Sequence, residues 1–264
     1  NARVPCSFQL PATILRRMGP PCRFGPGVYQ PGPADRIVAP MNRPFPPLRM
    51  LPYRRPTEGR DYWVFDDVLP NAADVRERCM HKQDWVLGFP HTGESWPGRR
   101  AIPALDADEM ALVEAKVKQA TGMKKLWVAN TPDGKTLNHN CVQVVGEREA
   151  GARPHTDSRA LCRYAGVLYL TPDAPEDCGT SFYRQRMPTR QLGGNTVNRP
   201  QNTLVEAMGT RFVPPDSFAE DVRVPNKFNR LLVYSAAMIH SASAYCGEVL
   251  ADQRMAAVFF WMGV

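Results

Sequence analysis

The stretch that decides the fold reads Asn140-Cys-Val-Gln-Val-Val-Gly-Glu-Arg-Glu-Ala-Gly-Ala-Arg-Pro-His155-Thr-Asp157. Its β-branched first part, residues 140–145, predicts a strand, and the glycines that follow predict a loop. The stretch ends in an H-x-D element, His155-Thr156-Asp157. On an extended segment, residues i and i+2 point the same way, so His155 and Asp157 could reach one metal ion together. By itself, this short pattern is not specific.

Short apolar segments flank this stretch on both sides. Further strands are predicted over residues 62–65, 126–130, 164–170, 181–183, 230–234 and 255–261. Two helices are predicted before most of them, over residues 70–81 and 107–120, the second capped by Asp106 and ended by Gly122. This order predicts an α+β protein whose antiparallel core is a double-stranded β-helix (jelly roll, cupin-like) with flanking N-terminal helices.

The remaining segments are rich in glycine, proline and asparagine. We predict loops over residues 91–103 and 184–224 and a turn over residues 131–134. The long 184–224 segment is expected to be a loop excursion near the mouth of a site, where substrate choice often resides.

The N-terminal segment differs in composition from the rest of the chain. Half of the 26 prolines lie within residues 1–56, together with many arginines. Dense proline prevents regular helix or a central strand. We therefore predict a Pro/Arg-rich extended arm over residues 1–58 and a single domain over residues 59–264. The arm could wrap the domain, form a homodimer contact or be partly disordered.

The composition indicates which cellular compartment and which classes of binding partner to expect. The seven cysteines are odd in number and contain no C-x-x-C pair, which favours a reducing cytoplasm over a disulfide framework or a structural zinc site. The net charge of +7 is accompanied by no nucleic-acid-binding motif, so we predict a solvated basic surface and no nucleic-acid partner. No run of about eighteen apolar residues occurs, and we expect no membrane partner.

A second histidine completes a ligand set for a metal. His240 follows the apolar strand 230–234, on the turn after it. Alone, His155 is more simply a surface histidine and His240 a core histidine. Taken together with Asp157, they make the two-histidine, one-carboxylate triad of non-haem Fe(II) oxygenases. We therefore predict that His155, Asp157 and His240 hold a metal.

Four short motifs occur in a fixed order. They are Cys141-Val-Gln-Val-Val145 with Gly151 and His155-x-Asp157; Ala165-Gly-Val-Leu-Tyr-Leu170; Cys178-Gly-Thr-Ser-Phe182; and Arg230-Leu-Leu-Val-Tyr-Ser235 with His240 and Arg254-Met-Ala-Ala-Val-Phe-Phe-Trp261. Together they resemble the prolyl-4-hydroxylase-like branch of the 2-oxoglutarate/Fe(II)-dependent dioxygenases. The family's usual second glycine is replaced by Cys178, and the gap from His240 to Arg254 is longer than in many members.

The resemblance implies specific roles for three further residues. Arg254 matches the family's basic residue that binds the C5 carboxylate of 2-oxoglutarate, and a structural salt bridge to Asp252 is the alternative. Tyr169 matches a tyrosine that also donates to that carboxylate, and a plain core aromatic is the alternative. Gln143 could contact the co-substrate or substrate, or could pair with another strand.

The resemblance also implies a reaction. With Fe(II), 2-oxoglutarate and O2, a member of this family hydroxylates an unactivated C–H bond and releases succinate and CO2. The substrate would be a small molecule, an amino acid or a peptide, because a fold does not define the substrate. Two alternatives remain: a cupin-type metal oxygenase that does not use 2-oxoglutarate, and a non-enzymatic binding module on the same barrel.

Overall fold

Antiparallel strands make up most of the regular structure, in the segments where β-branched and aromatic residues are dense. The computed structural model describes residues 49–87, 96–130, 138–211, 213 and 215–264. The strands in these ranges are β1 (Tyr62–Phe65), β2 (Val86–Leu87), β3 (Arg99–Ala101), β4 (Leu126–Trp127), β5 (Cys141–Val145), β6 (Tyr164–Tyr169), β7 (Thr180–Gln185), β8 (Phe218–Val224), β9 (Leu231–Ser235), β10 (His240–Ala242) and β11 (Arg254–Gly263). The helices are α1 (Ala72–Met80), α2 (Ala107–Thr121) and α3 (Leu204–Met208).

The strands form a large and a small sheet. Within the described ranges, the large sheet has eight strands in the order β1-β9-β6-β11-β5-β3-β2, with β4 pairing onto β11, and the small sheet has the order β10-β7-β8. All of these pairs are antiparallel. The protein is therefore a mostly antiparallel structure with few helices. This agrees with the predicted antiparallel core.

The large sheet buries both of its faces. Successive residues of a strand point to opposite faces, and β11 shows the result. Its residues Met255, Ala257, Phe259 and Trp261 join a core with α1 and α2, here called the outer face. Ala256 belongs instead to a second core with Phe182 of the small sheet, here called the inner face. The two sheets therefore pack against each other through the inner face.

Aromatic contacts join the two sheets. The ring of Phe182 on β7 lies 5.2 Å from the ring of Tyr62 and 5.7 Å from that of Tyr234, measured between centroids. Such tilted and edge-on arrangements are favourable for aromatic pairs. Because Tyr62 and Tyr234 are directly opposite each other on β1 and β9, this cluster fixes one end of the large sheet over the small one.

Helix α2 begins and ends where its capping residues predict. The Asp106 side chain accepts a hydrogen bond from the Glu109 backbone N–H, and the Glu109 carboxylate accepts one from the Asp106 backbone N–H. This reciprocal capping box satisfies two backbone donors at the helix start. Gly122 ends the helix with φ of +71°, a left-handed conformation that favours glycine.

Several boundaries differ from the predictions. The 91–103 segment contains β3, and the 184–224 segment contains α3 and β8, so neither is a plain loop. These elements were missed because they lack a strong apolar pattern: β3 includes Arg99-Arg100, and most of β8 is only half-buried. The predicted strand 126–130 is strand only at β4. The turn at 131–134 and the first part of the 91–103 segment lie outside the described residues.

Residues 49–58, which were assigned to the arm, pack against the sheets. The Leu51 side chain is buried, and the Leu51 N–H donates to the Gln185 side-chain oxygen at 2.7 Å. The Asn195 amide donates to the Arg54 carbonyl at 2.7 Å. Residues 1–48 lie outside the described residues. No helix in the described ranges has the length and apolar character that crossing a bilayer requires.

Candidate metal centre

The structure brings His155, Asp157 and His240 together. One ligand atom from each lies within 4.8 Å of the others. The His155 Nε2 is 3.9 Å from the Asp157 Oδ1, and the His240 Nε2 is 3.7 Å from the Asp157 Oδ2. These separations leave room for one ion between the three side chains.

Backbone pairing explains why residues so distant in sequence meet. His155 and His240 exchange two backbone hydrogen bonds, of 3.0 and 2.8 Å, which place them directly opposite each other. The Asp157 N–H donates to the Ala236 carbonyl at 3.1 Å. Opposed residues of an antiparallel pair point to the same side. Their side chains therefore converge on Asp157, as its H-x-D spacing predicts.

Hydrogen bonds orient both imidazole rings. The Nδ1 of His155 lies 2.8 Å from the Arg153 carbonyl, and the Nδ1 of His240 lies 2.9 Å from the Met238 carbonyl. A carbonyl only accepts, so each Nδ1 carries the proton and each Nε2 presents its lone pair. Metal-bound histidines almost always show this arrangement, with one nitrogen held by a carbonyl and the other free for the ion.

The electrostatics of the cluster favour a cation. Among the described residues, no group hydrogen-bonds to the buried Oδ2 of Asp157. Burial raises the pKa of this carboxyl from 3.8 to about 6. Burial also lowers the pKa of His155 and of His240 from 6.5 to about 4, so both rings are neutral at pH 7. Two neutral imidazoles and an unsatisfied carboxylate suit Fe(II) or a similar divalent ion.

Aromatic rings surround the two histidines. The ring of Tyr234 lies 4.5 Å from that of His240, and the ring of Trp96 lies 4.7 Å from that of His155. The guanidinium carbon of Arg153 lies 4.8 Å from the Trp96 ring centre. Each ring covers part of one histidine, and the His155 side chain remains 27% exposed. Neither Trp96 nor Arg153 was among the predicted site residues.

Arg254 is a buried guanidinium that does not form the alternative salt bridge to Asp252. It is 3% exposed. Its Nε donates to the Cys178 carbonyl at 2.8 Å and its Nη2 to the Gly179 carbonyl at 3.3 Å. No carboxylate pairs with it among the residues that the structure describes. A buried charge without a counter-ion is costly, so this arrangement is suited to an anionic ligand.

The position of the Arg254 acceptors depends on a glycine. At Gly179, an added Cβ would lie 2.0 Å from the Val224 carbonyl oxygen, which is closer than atoms can approach. Glycine therefore lets the start of β7 lie directly against the end of β8. This close approach sets the two carbonyls that fix the plane of the guanidinium.

Tyr169 and Gln143 lie in the same row of the inner face. Gln143 on β5 and Tyr169 on β6 are both directly opposite Ala256 on β11. The Tyr169 hydroxyl donates to the Thr180 Oγ1 at 2.9 Å, and its ring lies 5.4 Å from the Arg254 guanidinium carbon. Burial raises the Tyr169 pKa. The Gln143 amide donates to the Pro97 carbonyl at 3.1 Å, in the segment before β3.

Two further residues near the site, Tyr245 and Arg100, were missed by the sequence interpretation. The ring of Tyr245 lies 5.9 Å from the Arg254 guanidinium carbon, and burial raises the Tyr245 pKa. Arg100 is buried on β3. A solvated basic surface was predicted from the net charge, and the Arg99-Arg100 pair contributes to that charge. Only the pairing of β3 with β5 shows that one member points inward.

Several solved structures are similar to this chain, at TM-scores below 0.5 for those described here. They include the epimerase SnoN in complex with Fe3+, alpha ketoglutarate and nogalamycin RO, with 18% identity, a TM-score of 0.43 and coverage of 77% of this chain and 80% of that one. A prolyl hydroxylase from Trichoplax adhaerens, in complex with a hypoxia inducible factor peptide fragment, shows 10% identity, a TM-score of 0.45 and coverage of 77% and 84%. HygX from Streptomyces hygroscopicus, with nickel and 2-oxoglutarate bound, shows 12% identity, a TM-score of 0.43 and coverage of 78% and 84%.

The structural matches are 2-oxoglutarate/Fe(II)-dependent oxygenases, prolyl hydroxylases among them, and this is the class that the sequence motifs resemble. A comparison with curated proteins gives no match. A protein-family model described as a family of unknown function matches residues 48–256, from the segment before β1 into β11. The chain belongs to this family of unknown function, DUF6445.

Proposed function

We propose that this chain is an Fe(II)- and 2-oxoglutarate-dependent oxygenase. It would hydroxylate an unactivated C–H bond of a small-molecule, amino-acid or peptide substrate and release succinate and CO2. One observation carries the proposal: the histidine–aspartate cluster lies in the same two-sheet core as Arg254, a buried guanidinium that has no carboxylate partner among the described residues. This arrangement would combine a metal site with a carboxylate-binding site, as use of a 2-oxo acid requires.

We also propose that the two sheets form a double-stranded β-helix. The ladder order supports it, because β9-β6-β11-β5 and β10-β7-β8 are two facing antiparallel sets. The backbone bridge of His155 to His240 extends the small sheet by one more segment next to β10. Four segments then face four strands, and the chain passes repeatedly between the two sets. This arrangement supports the proposal of a jelly roll.

The triad would hold Fe(II) through His155 Nε2, His240 Nε2 and a carboxylate oxygen of Asp157. With three ligands from the protein, such a site would keep coordination positions available for small ligands. When bound, Fe(II) with 2-oxoglutarate and O2 would supply the oxidising chemistry, which belongs to the cofactor rather than to the protein. The protein's own part is to present three ligands in fixed orientations in a shielded site.

Arg254 would bind the C5 carboxylate of 2-oxoglutarate. The Cys178 and Gly179 carbonyls already hold its guanidinium in one plane. A preset planar fork loses little freedom when it binds a carboxylate, and its hydrogen bonds to that group are charge-assisted. Tyr169 lies against the same guanidinium, and its hydroxyl would donate to the carboxylate in exchange for Thr180. Gln143 would contact the co-substrate or substrate further along the row.

An anaerobic titration with Fe(II) and then 2-oxoglutarate tests the proposal. The weak visible charge-transfer band of the iron–2-oxoglutarate chelate is measured for the wild type, His240→Ala and His81→Ala. His81 is an exposed histidine at the end of α1, so His81→Ala is the matched control. We expect the band in the wild type and in His81→Ala and its loss in His240→Ala.

The other outcomes identify the alternatives. Folded protein that binds iron but gives no band with 2-oxoglutarate would be a metal enzyme of the cupin type that does not use this co-substrate. Folded protein that binds no iron would be a binding module on the same barrel. Either result would overturn the proposed function.

A further inference from the structure

Arg100 on β3 is a second buried guanidinium that the proposed reaction leaves unexplained. It is 8% exposed, and its Nε is buried with no hydrogen-bond partner in the described part of the chain. Across those same residues it forms no ion pair and lies over no aromatic ring. Burial lowers the pKa of this guanidinium. A charge buried in this way needs an anionic partner.

Strand register places Arg100 on the inner face. Arg100 is directly opposite Gln143, and Gln143 is directly opposite Ala256 on β11. Residues opposed in this way share a face, and alternate residues along β11 share it too. Arg100, Gln143 and Arg254 therefore point to the same side of the large sheet. Tyr245 lies near both guanidiniums, which oppose the rise in its pKa.

Arg99, the preceding residue on the same strand, points the opposite way. It is paired with Val144, a member of the outer-face core. Its guanidinium donates to the Gln253 side-chain oxygen at 2.9 Å and lies 5.5 Å from the Trp85 ring centre. The Arg99 side chain therefore makes a hydrogen bond and a cation–π contact. The Arg100 side chain makes neither kind of contact among the described residues.

Arg100 lies within reach of the candidate metal centre. The Gln143 amide holds the Pro97 carbonyl, and the ring of the preceding residue, Trp96, lies 4.7 Å from that of His155. The backbone from Trp96 to Arg100 spans at most about 14 Å even when fully extended. A small molecule bound at Arg100 could therefore extend along Trp96 to the triad.

Resting on the proposed oxygenase function, we infer that Arg100 binds a carboxylate of the primary substrate. The substrate class is then a small organic acid or amino acid whose carboxylate lies away from the carbon that is oxidised. Arg254 accounts for the carboxylate of 2-oxoglutarate. A planar guanidinium also matches a carboxylate through two parallel hydrogen bonds. From strand spacing, the Cα atoms of Arg100 and Arg254 are about 12 Å apart, which allows two separate anionic groups.

Thermal unfolding of the full chain tests this inference, after anaerobic loading with Fe(II) and saturating 2-oxoglutarate. The probes are propionate, its uncharged analogue propionamide, and inorganic phosphate, all at constant ionic strength. We expect propionate at ten times its Kd to raise the unfolding midpoint of the wild type by roughly 3–6 °C. Propionamide and phosphate should give no comparable shift.

Variants of the two adjacent arginines show whether the propionate shift depends on Arg100. Arg99→Met carries the same charge change on the other face and should keep the full propionate shift. Arg100→Met should lose it, and Arg100→Lys, which keeps the charge but not the fork, should keep part of it. Both Arg100 variants should form the iron–2-oxoglutarate band at the same 2-oxoglutarate concentrations as the wild type.

Several results would overturn the inference. One is that propionate does not raise the unfolding midpoint of the wild type. Another is that propionate raises the midpoint of Arg100→Met as much as that of the wild type. A third is a shift with phosphate but not with propionate, which would assign a phosphorylated substrate instead. Weakened 2-oxoglutarate binding in both Arg100 variants would place Arg100 in the co-substrate site. If the proposed function fails instead, the wild type does not form the iron–2-oxoglutarate band. A propionate shift that depends on Arg100 can still be measured in protein that does not form the band.

Discussion

Replacing Arg254 with methionine should weaken 2-oxoglutarate binding far more than it disturbs the fold. The wild-type guanidinium is 3% exposed and donates hydrogen bonds to two backbone carbonyls. Removing one partner of a buried, hydrogen-bonded charge pair costs about 2–5 kcal/mol of binding free energy. That corresponds to an increase in Kd of about 30-fold to several thousand-fold. The unliganded fold loses two ordinary hydrogen bonds but also an unpaired buried charge.

Ligand-induced stabilisation is the assay. At a 2-oxoglutarate concentration of one hundred times the wild-type Kd, the ligand adds about 2.7 kcal/mol to the free energy of unfolding. For a chain of this size, that raises the unfolding midpoint by roughly 5–10 °C. In Arg254→Met, the same concentration adds less than about 1 kcal/mol, because the Kd is at least about 30-fold higher.

Arg254→Lys and the metal site provide the controls for this assay. The lysine variant keeps the charge but not the planar fork, so its Kd should lie between those of the wild type and Arg254→Met. Stabilisation by the metal alone should be the same in all three proteins, because Arg254 is not part of the triad. If Arg254→Met is folded and is stabilised by 2-oxoglutarate as much as the wild type, Arg254 does not bind the co-substrate.

Three further substitutions test the site and the fold. Asp157→Asn should weaken Fe(II) binding, measured anaerobically, by more than the roughly 10–100-fold that loss of an outer partner costs; unchanged affinity would exclude Asp157 as a ligand. The pKa of Asp66 is lowered from 3.8 to about 2, mainly by its hydrogen bond to Arg230. Its stabilising effect is therefore fully present above pH 3.8 and is lost as the pH falls through 2. Asp66→Asn should lower the free energy of unfolding in urea at pH 7 by at most about 1 kcal/mol, because the pair is partly exposed, and by clearly less at pH 2. Asp106→Ala should cost about 1 kcal/mol in the same urea assay through loss of the α2 cap, and no loss would contradict the capping box.

The parts of the fold that could be predicted are those with a strong local pattern. Strands β5, β6, β9 and β11 have dense apolar and β-branched residues, and α2 has a complete set of capping residues. Strand β8 could not be predicted, because it is an edge strand of the small sheet and most of its side chains are only half-buried. Its strand character comes from pairing with β7, which is a long-range contact and leaves no periodic pattern in the sequence.

In the candidate site, too, some features have a local sequence pattern and others depend on tertiary contacts. The H-x-D spacing and an apolar strand before His240 are visible in the sequence, and the three residues were predicted together. The backbone bridge that brings His155 opposite His240 is a tertiary contact. Arg99 and Arg100 cannot be told apart in the sequence, because they have the same chemistry. Only the register with β5 shows which of them points inward.

The balance of charge on the inner face joins the two proposals. Without ligands, the site residues Asp157, Arg254 and Arg100 comprise one carboxylate and two guanidiniums. Among the described residues, Asp157 pairs with no Lys or Arg, and neither guanidinium pairs with an Asp or Glu. A divalent metal and doubly charged 2-oxoglutarate bring equal and opposite charge, so one positive charge stays uncompensated. A substrate carboxylate at Arg100 would remove it. Because charges interact strongly where water is excluded, the loaded site should bind a carboxylate substrate in preference to its neutral amide.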